Sequence, residues 1–136
     1  MLAKLRGVFR RRPVIFAYLF GSRARGRPRA SSDVDLAVYL SRALSVRARE
    51  SLRLRLLGEA CAALGRDDVD LVILNDAGPL LAFRVIESGK PVFSKDELAR
   101  VRFEARAMAL YYDRLPASMR SADLMLERVA SGRLLH

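Results

Sequence analysis

The sequence predicts a mixed α/β (α+β) domain in which a small β-sheet is flanked by helices and followed by a C-terminal helical tail. Apolar runs of strand length alternate along the chain with longer segments whose apolar residues have helical spacing. Hydrophobic residues make up 51% of the chain and charged residues 29%, a balance typical of globular proteins. We therefore expect residues 1–136 to form one domain, with its core at about 14–93 and C-terminal helices at about 95–130.

Each predicted element follows from a local pattern of apolar residues and breakers. Pro13 ends a short basic helix, and Gly21 closes the first apolar run of strand length. Ser88 and Gly89 end a later helix, and Pro116 begins a break. In chain order, the prediction is a helix at 2–12, strands at 14–20 and 34–40, a helix at 46–64, a strand at 69–74, a helix at 80–87, a strand at 91–93, and helices at 95–115 and about 118–129.

The helix at 46–64 and the polar segment before it need separate justification. The helix is predicted because apolar residues recur at helical spacing and form one stripe, made of Leu54, Leu57, Cys61 and Leu64. Residues 23–32 are polar and contain Gly26 and Pro28, so they predict a loop.

Composition limits the classes of protein to consider. The single cysteine, Cys61, excludes an intrachain disulfide and fits a reducing cytoplasm. We expect no membrane span, because no apolar run approaches roughly 20 residues, and no signal peptide. The net charge of +10 favours acidic partners, although an Arg-rich composition explains it equally well. The same charge leaves direct nucleic-acid binding open, although tryptophan is absent and the basic–aromatic alternation typical of single-strand binders does not occur.

Three aspartates lie in or beside apolar strands. Asp33 and Asp35 are two residues apart, so their side chains share one face of the second strand. Asp70 lies inside the apolar run VDLVIL. A carboxylate in an apolar strand is unfavourable unless its charge is compensated, and no Lys or His alternates with these residues. A divalent cation with hard oxygen ligands such as Mg²⁺ would allow three converging carboxylates to coexist.

The segment FGSRARG follows the first strand directly. Gly21 permits a tight turn whose backbone N–H groups approach a phosphate, and Ser22 adds a hydroxyl donor. Arg23 and Arg25 have the reach for triphosphate oxygens. Taken alone, a Gly-Ser pair is usually an ordinary turn and such arginines are usually surface residues. The combined spacing of Gly-Ser, ten residues, Asp-x-Asp and a later strand aspartate predicts a metal and triphosphate site.

The stretch LFGSRARGRPRASSDVDLAVYL resembles the signature of the nucleotidyltransferase superfamily related to DNA polymerase beta, at Gly21, Ser22, Asp33 and Asp35. The short chain looks similar to the minimal nucleotidyltransferase (MNT, MntA-like antitoxin) branch, with a resemblance from about 14 to 93. It implies that Gly21 and Ser22 hold the triphosphate and that Asp33 and Asp35 bind Mg²⁺. Asp70 would be the third carboxylate.

The same resemblance implies a function and a partner. Two Mg²⁺ ions would assist transfer of AMP from ATP to a tyrosine of a HEPN-domain RNase toxin, whose RNA site is thereby blocked. Asp68 is the fallback for the role of Asp70. An antitoxin that acts by binding and occlusion stays open, as does transfer to a small molecule or an RNA end. The base preference, the number of AMP groups and the oligomeric state are not determined by the sequence.

Overall fold

The computed structural model of the chain describes residues 2–21 and 34–116. It confirms the mixed α+β architecture with a four-stranded mixed sheet flanked by helices. The elements are α1 (Leu2–Arg10), β1 (Val14–Phe20), β2 (Val34–Leu40), α2 (Val46–Leu64), β3 (Val69–Ile73), a 3-10 turn (Leu74–Asp76), α3 (Pro79–Ser88), β4 (Lys90–Ser94) and α4 (Glu97–Asp113). The predicted loop at 23–32 and the predicted helix at 118–129 lie outside the described residues.

The boundaries of β1, β2 and α2 agree with the sequence prediction, and the other boundaries differ for local reasons. α4 begins at Glu97 because the Asp96 side chain accepts the Ala99 N–H at 3.1 Å and caps the helix. β3 ends at Ile73, where the 3-10 turn begins. Inside that turn the Asn75 side chain accepts the Leu40 N–H at 2.8 Å and donates to the Leu40 carbonyl at 2.9 Å.

The sheet has the strand order β3-β2-β1-β4. β1 pairs with β2 and with β4 in the antiparallel direction, whereas β2 and β3 are parallel. α2 therefore makes the crossover between two parallel strands. β1 runs antiparallel to β2, and β3 runs parallel to it. The end of β1 and the starts of β2 and β3 therefore lie at the same end of the sheet.

One face of the sheet, here called the first face, is covered by α1 and α2. Leu5 and Phe9 of α1 and Leu56 of α2 are fully buried against it. The predicted stripe of α2 is therefore partly wrong. Leu54 is 58% exposed, while Leu57, Cys61 and Leu64 are half-buried against the core. The helix packs at a slightly different rotation, with Leu56 and Ala60 at the centre of its buried side.

The opposite face, here called the second face, is covered by α3 and α4. Its core contains Phe16 and Tyr18 of β1 and Val85 of α3, with Phe103 of α4 against the Phe16 ring at a centroid distance of 5.5 Å. The fully buried Tyr18 hydroxyl donates to Glu104 of α4 at 2.6 Å. This bond fixes α4 over β1, one of the two central strands of the sheet.

Candidate functional site

Asp35 and Asp70 occupy the same register position on neighbouring parallel strands. Register partners project to the same face, so both side chains lie on the second face, with Cα atoms about 4.8 Å apart. Asp35 is half-buried and Asp70 is exposed. The sequence placed both residues in strands, but their pairing depends on the β2–β3 register, which no local pattern specifies.

Gly21 brings the turn after β1 against the Asp35 carboxylate. Phe20 and Asp35 are register partners, and Gly21 follows with a φ of 81° that favours glycine. A Cβ atom added at Gly21 would lie 2.5 Å from Asp35 Oδ2. The position therefore requires glycine for its backbone conformation and also for the space that the carboxylate occupies.

The Asp70 carboxylate has little compensation within the protein. Its Oδ1 accepts the Leu71 N–H at 3.0 Å, and it forms no ion pair with any residue in 2–21 or 34–116. The Arg53 guanidinium of α2 is close enough to the Asp70 carboxylate to interact with it electrostatically. Its pKa is raised first by the hydrogen bond to Glu50 and to a smaller degree by the Asp70 charge. A helical pattern in the sequence does not show what a side chain as long as that of Arg53 reaches.

The fallback residue Asp68 has a different environment. Arg66 binds both of its carboxylate oxygens through Nε and Nη2. The Asp68 carbonyl accepts the Val34 N–H at 2.9 Å, which joins the start of β2 to the start of β3. Asp68 precedes β3 and is neutralised locally by an arginine, so Asp70 fits the role of third carboxylate better.

The remaining predicted site residues, Ser22, Arg23, Arg25 and Asp33, lie outside the described residues, and their roles stay predictions. Within 2–21 and 34–116, no group of three His, Cys, Asp or Glu side chains is close enough to hold a metal ion. A three-carboxylate centre therefore needs Asp33, two residues before Asp35, in addition to the pair that the structure describes.

Gly89 supports the turn from outside the predicted set. It joins α3 to β4, and a Cβ atom there would lie 3.3 Å from both the Leu19 carbonyl oxygen and Phe20 Cβ. This close approach packs the α3–β4 junction against the last residues of β1, immediately before Gly21. The sequence showed Gly89 only as a helix end, because the neighbouring strand is far away in the chain.

Tyr18 and its partners form a polar cluster behind the aspartates. The pKa of the Tyr18 hydroxyl is raised above its usual range, chiefly by burial and next by its hydrogen bond to Glu104. Arg100 Nη1 donates to Glu104 at 2.6 Å and to the Tyr18 hydroxyl at 3.3 Å. The cluster holds α4 in place, and the pair Tyr18–Ala37 lies two register positions from the pair Phe20–Asp35, on the same face of the sheet.

The geometry suits binding of a hard cation. Adjacent carboxylates on one face repel each other, and Mg²⁺ prefers carboxylate oxygens with water and phosphate oxygens as further ligands. Gly21 lies against Asp35 at the end of β1. The two carboxylates can therefore contribute oxygen ligands to a divalent cation. Among the described residues, no helix is long and apolar enough to cross a membrane.

The chain is similar in sequence to a family of nucleotidyltransferases and to one protein adenylyltransferase. The family described as "Polymerase beta, Nucleotidyltransferase" matches residues 3–98. A protein adenylyltransferase MntA of Shewanella oneidensis is 36% identical over 88 residues, which cover 62% of this chain and 60% of that relative. The chain thus matches about three fifths of the length of this curated relative.

Solved structures are similar over nearly the whole chain. One chain of a crystal structure described as a toxin–antitoxin with AMP-PNP superposes with a TM-score of 0.68 at 26% identity, covering 98% of this chain and 97% of that chain. A second structure contains a tri-AMPylated Shewanella oneidensis HEPN toxin in complex with an MNT antitoxin. Its similar chain has a TM-score of 0.60 at 26% identity, with coverages of 98% and 94%.

Proposed function

This chain belongs to the polymerase beta nucleotidyltransferase family, and from that premise we propose that it is an antitoxin that transfers AMP from ATP to a tyrosine of a HEPN-domain toxin. The relative at 36% identity is named a protein adenylyltransferase. The similar structures include an ATP analogue in one case and an AMPylated HEPN toxin in the other. These likenesses support the nucleotide, the acceptor and the neutralising role.

The observation that carries the proposal is the Asp35–Asp70 register pair beside Gly21. An inactive relative that only binds a partner would not need two adjacent carboxylates on one face, nor a glycine whose side-chain space is filled by one of them. The pair is unfavourable without a cation and becomes favourable when a metal–nucleotide complex binds. We infer that Asp33, Asp35 and Asp70 together hold Mg²⁺.

The carboxylate oxygens fit Mg²⁺, which when bound neutralises triphosphate charge and stabilises the leaving pyrophosphate. Gly21 and Ser22 orient the triphosphate through backbone N–H groups and a hydroxyl, while Arg23 and Arg25 pair with its outer oxygens. The exposed Asp70 carboxylate takes the proton of the acceptor tyrosine. The tyrosine oxygen then bonds to the α-phosphorus as the bond to the β-phosphate breaks, so pyrophosphate leaves.

The test uses the protein encoded by the adjacent gene as the acceptor. With ATP and Mg²⁺ we expect a mass increase of one or more AMP groups on that protein, mapped to tyrosine by peptide mass spectrometry. The Asp35→Asn variant should lower the rate by about a thousandfold or more, because it removes a ligand of the metal–nucleotide complex. Tight binding with no AMP adduct would reject the proposal.

Two other functions make different predictions. An antitoxin that acts by occlusion would still neutralise the toxin as the Asp33→Asn and Asp35→Asn variants. An enzyme that modifies a small molecule or an RNA end would label that acceptor and leave the protein unlabelled. ATP and a toxin that degrades RNA would both be met in the cytoplasm, where we place the protein.

A further inference from the structure

A groove of about 590 Å³ opens on the second face at the end of the sheet away from Asp35. It lies between the ends of β2 and β3, the start of α3 and the middle of α4. Apolar side chains form most of its lining, among them Leu74, Ala82, Phe103, Ala107 and Leu110. The Leu110 side chain is 46% exposed at the mouth.

The rim of the groove carries an excess of positive charge. Arg42, Arg102 and Arg106 line it, and Asp96 is the one carboxylate in the described lining. The Asp96 side chain is already used as the cap of α4. Arg102 and Arg106 are exposed, and neither forms an ion pair with a described residue. An apolar channel with cationic edges is complementary to an apolar stripe with acidic flanks.

We propose that this groove binds an acidic amphipathic helix of the protein that accepts AMP, and so positions that protein on the enzyme. The inference rests on the proposed function and names the contact by which the acceptor is recognised. An amphipathic helix places its apolar residues in such a groove at spacings of three and four, while its flanking carboxylates reach the rim. The arginines then attract the acidic helix at long range, and at short range they fix its position along the groove.

Charge distinguishes this occupant from others. A second copy of the chain carries a net charge of +10 and would meet the arginine rim with repulsion. The chain's own residues 117–136 contain three arginines, Asp123 and Glu127, so they offer no excess of negative charge. An amphipathic helix with acidic flanks can contact both the apolar lining and the arginines of the rim. Nucleic acid can pair with the arginines but has no apolar stripe for the lining.

The position of the groove matches a docking role. Tyr39, which lines it, lies four residues beyond Asp35 on the same strand and the same face, a distance of about 13 Å. A protein seated in the groove would therefore have other segments close to the aspartates without filling the nucleotide site. We expect binding in the groove to affect the concentration of acceptor needed for half-maximal rate and to leave kcat nearly unchanged.

The test measures binding of the full-length protein to the adjacent gene's product by calorimetry without ATP, so that no reaction occurs. The double variant Arg102→Glu, Arg106→Glu should weaken binding by about tenfold or more. The matched control Arg47→Glu, Arg55→Glu changes the net charge equally on the exposed side of α2 and should stay within about twofold of wild type. Wild-type affinity should fall as NaCl is raised, because rim charges are screened.

A second pair of variants tests the apolar lining. Leu110→Ser should weaken binding, whereas Leu54→Ser, which changes another exposed leucine, on α2, should not. Equal effects within either pair would overturn the proposal. So would a concentration-dependent dimer that Arg102→Glu, Arg106→Glu dissociates, or a loss of RNA binding without loss of protein binding.

Occupation by the chain's own C-terminal residues is tested by a solvent-sensitive dye at Leu110→Cys in a Cys61→Ala background. We expect a water-exposed signal that becomes apolar when the acceptor is added. An apolar signal from the protein alone would overturn the proposal. If the groove variants lose binding but wild type transfers no AMP, the proposed function fails and the docking surface stands. If AMP transfer occurs but the groove variants bind the acceptor as tightly as wild type, the proposed function stands and the docking surface is rejected.

Discussion

The two ends of the second face differ in charge, exposure and origin. At one end Asp35 and Asp70 lie side by side, and Gly21 lies against the Asp35 carboxylate. At the other end, β2 and β3 run into an apolar groove whose rim carries three arginines. Tyr18 and Phe16 fill the space between them.

The contrast shows how one face of a sheet can carry a proposed metal–nucleotide site at one end and a proposed protein-docking groove at the other. A metal–nucleotide site needs negative charge that a cation will neutralise, and it needs access for phosphates. A protein-docking groove needs apolar area and charges that fit the partner. The proposed metal–nucleotide site and the proposed docking groove are separated by several residues along β2.

The largest expected effect comes from removing a charge at the aspartate end. Asp70→Asn should reduce AMP transfer by about a thousandfold. It should also abolish the rise in melting temperature that Mg²⁺ with ATP gives wild type, a rise of a few degrees at about ten times Kd. Asp67→Asn, three residues earlier in an exposed loop, is the control and should behave as wild type. Equal activity of both variants would remove Asp70 from the site.

The next prediction separates backbone strain from the contact with Asp35. Gly21→Ala should lower the free energy of unfolding by about 1–2 kcal/mol and reduce transfer by about a hundredfold, because the added Cβ displaces the carboxylate. Gly65→Ala also places alanine at a positive φ, of 65°, but has no atom within 4 Å of the added Cβ. It should be similarly destabilised and fully active. Similar loss of activity in both would show that strain alone explains the glycine.

Between the two ends, Tyr18 gives stability a dependence on alkaline pH. Its pKa is raised in the folded state, chiefly by burial, so the folded protein keeps a proton that the unfolded chain loses near pH 10. This contribution is constant at lower pH, and stability should fall as the pH rises above 10, by up to about 1.4 kcal/mol per pH unit.

Tyr18→Phe is the corresponding variant. It should be less stable than wild type by about 1–3 kcal/mol at neutral pH, because Glu104 loses a donor. Its loss of stability between pH 10 and 11 should be shallower than that of wild type, as measured by urea unfolding. Parallel profiles would show that Tyr18 does not titrate in that range.

The smallest effect is expected next to the aspartates. Asp68→Asn removes the ion pair with Arg66 but retains the backbone bond from Val34 to the residue 68 carbonyl. We expect the free energy of unfolding to fall by at most about 1 kcal/mol and the rate of AMP transfer to fall by less than about tenfold. A loss as large as that of Asp70→Asn would mean that the fallback residue, and not Asp70, is the third carboxylate.

Much of the fold was predictable because strands and helices have distinct apolar periods. The bounds of β1, β2 and α2 agree with the prediction for this reason. The rotation of α2 was not predictable, because Leu54 and Leu56 both belong to plausible apolar stripes and the packing against β3 decides between them. Ser22, Arg23, Arg25 and Asp33 stay sequence predictions.

By itself, the sequence determined the kinds of element, the family signature and the set of candidate carboxylates, since each depends on local spacing. The tertiary structure alone decided that Asp35 and Asp70 are partners, that Asp68 is held by Arg66, and that Gly89 supports the turn. It also decided that arginines of α4 and the end of β2 share a groove. These relations depend on strand register and helix packing, which join residues far apart in the chain and leave no trace in local periodicity.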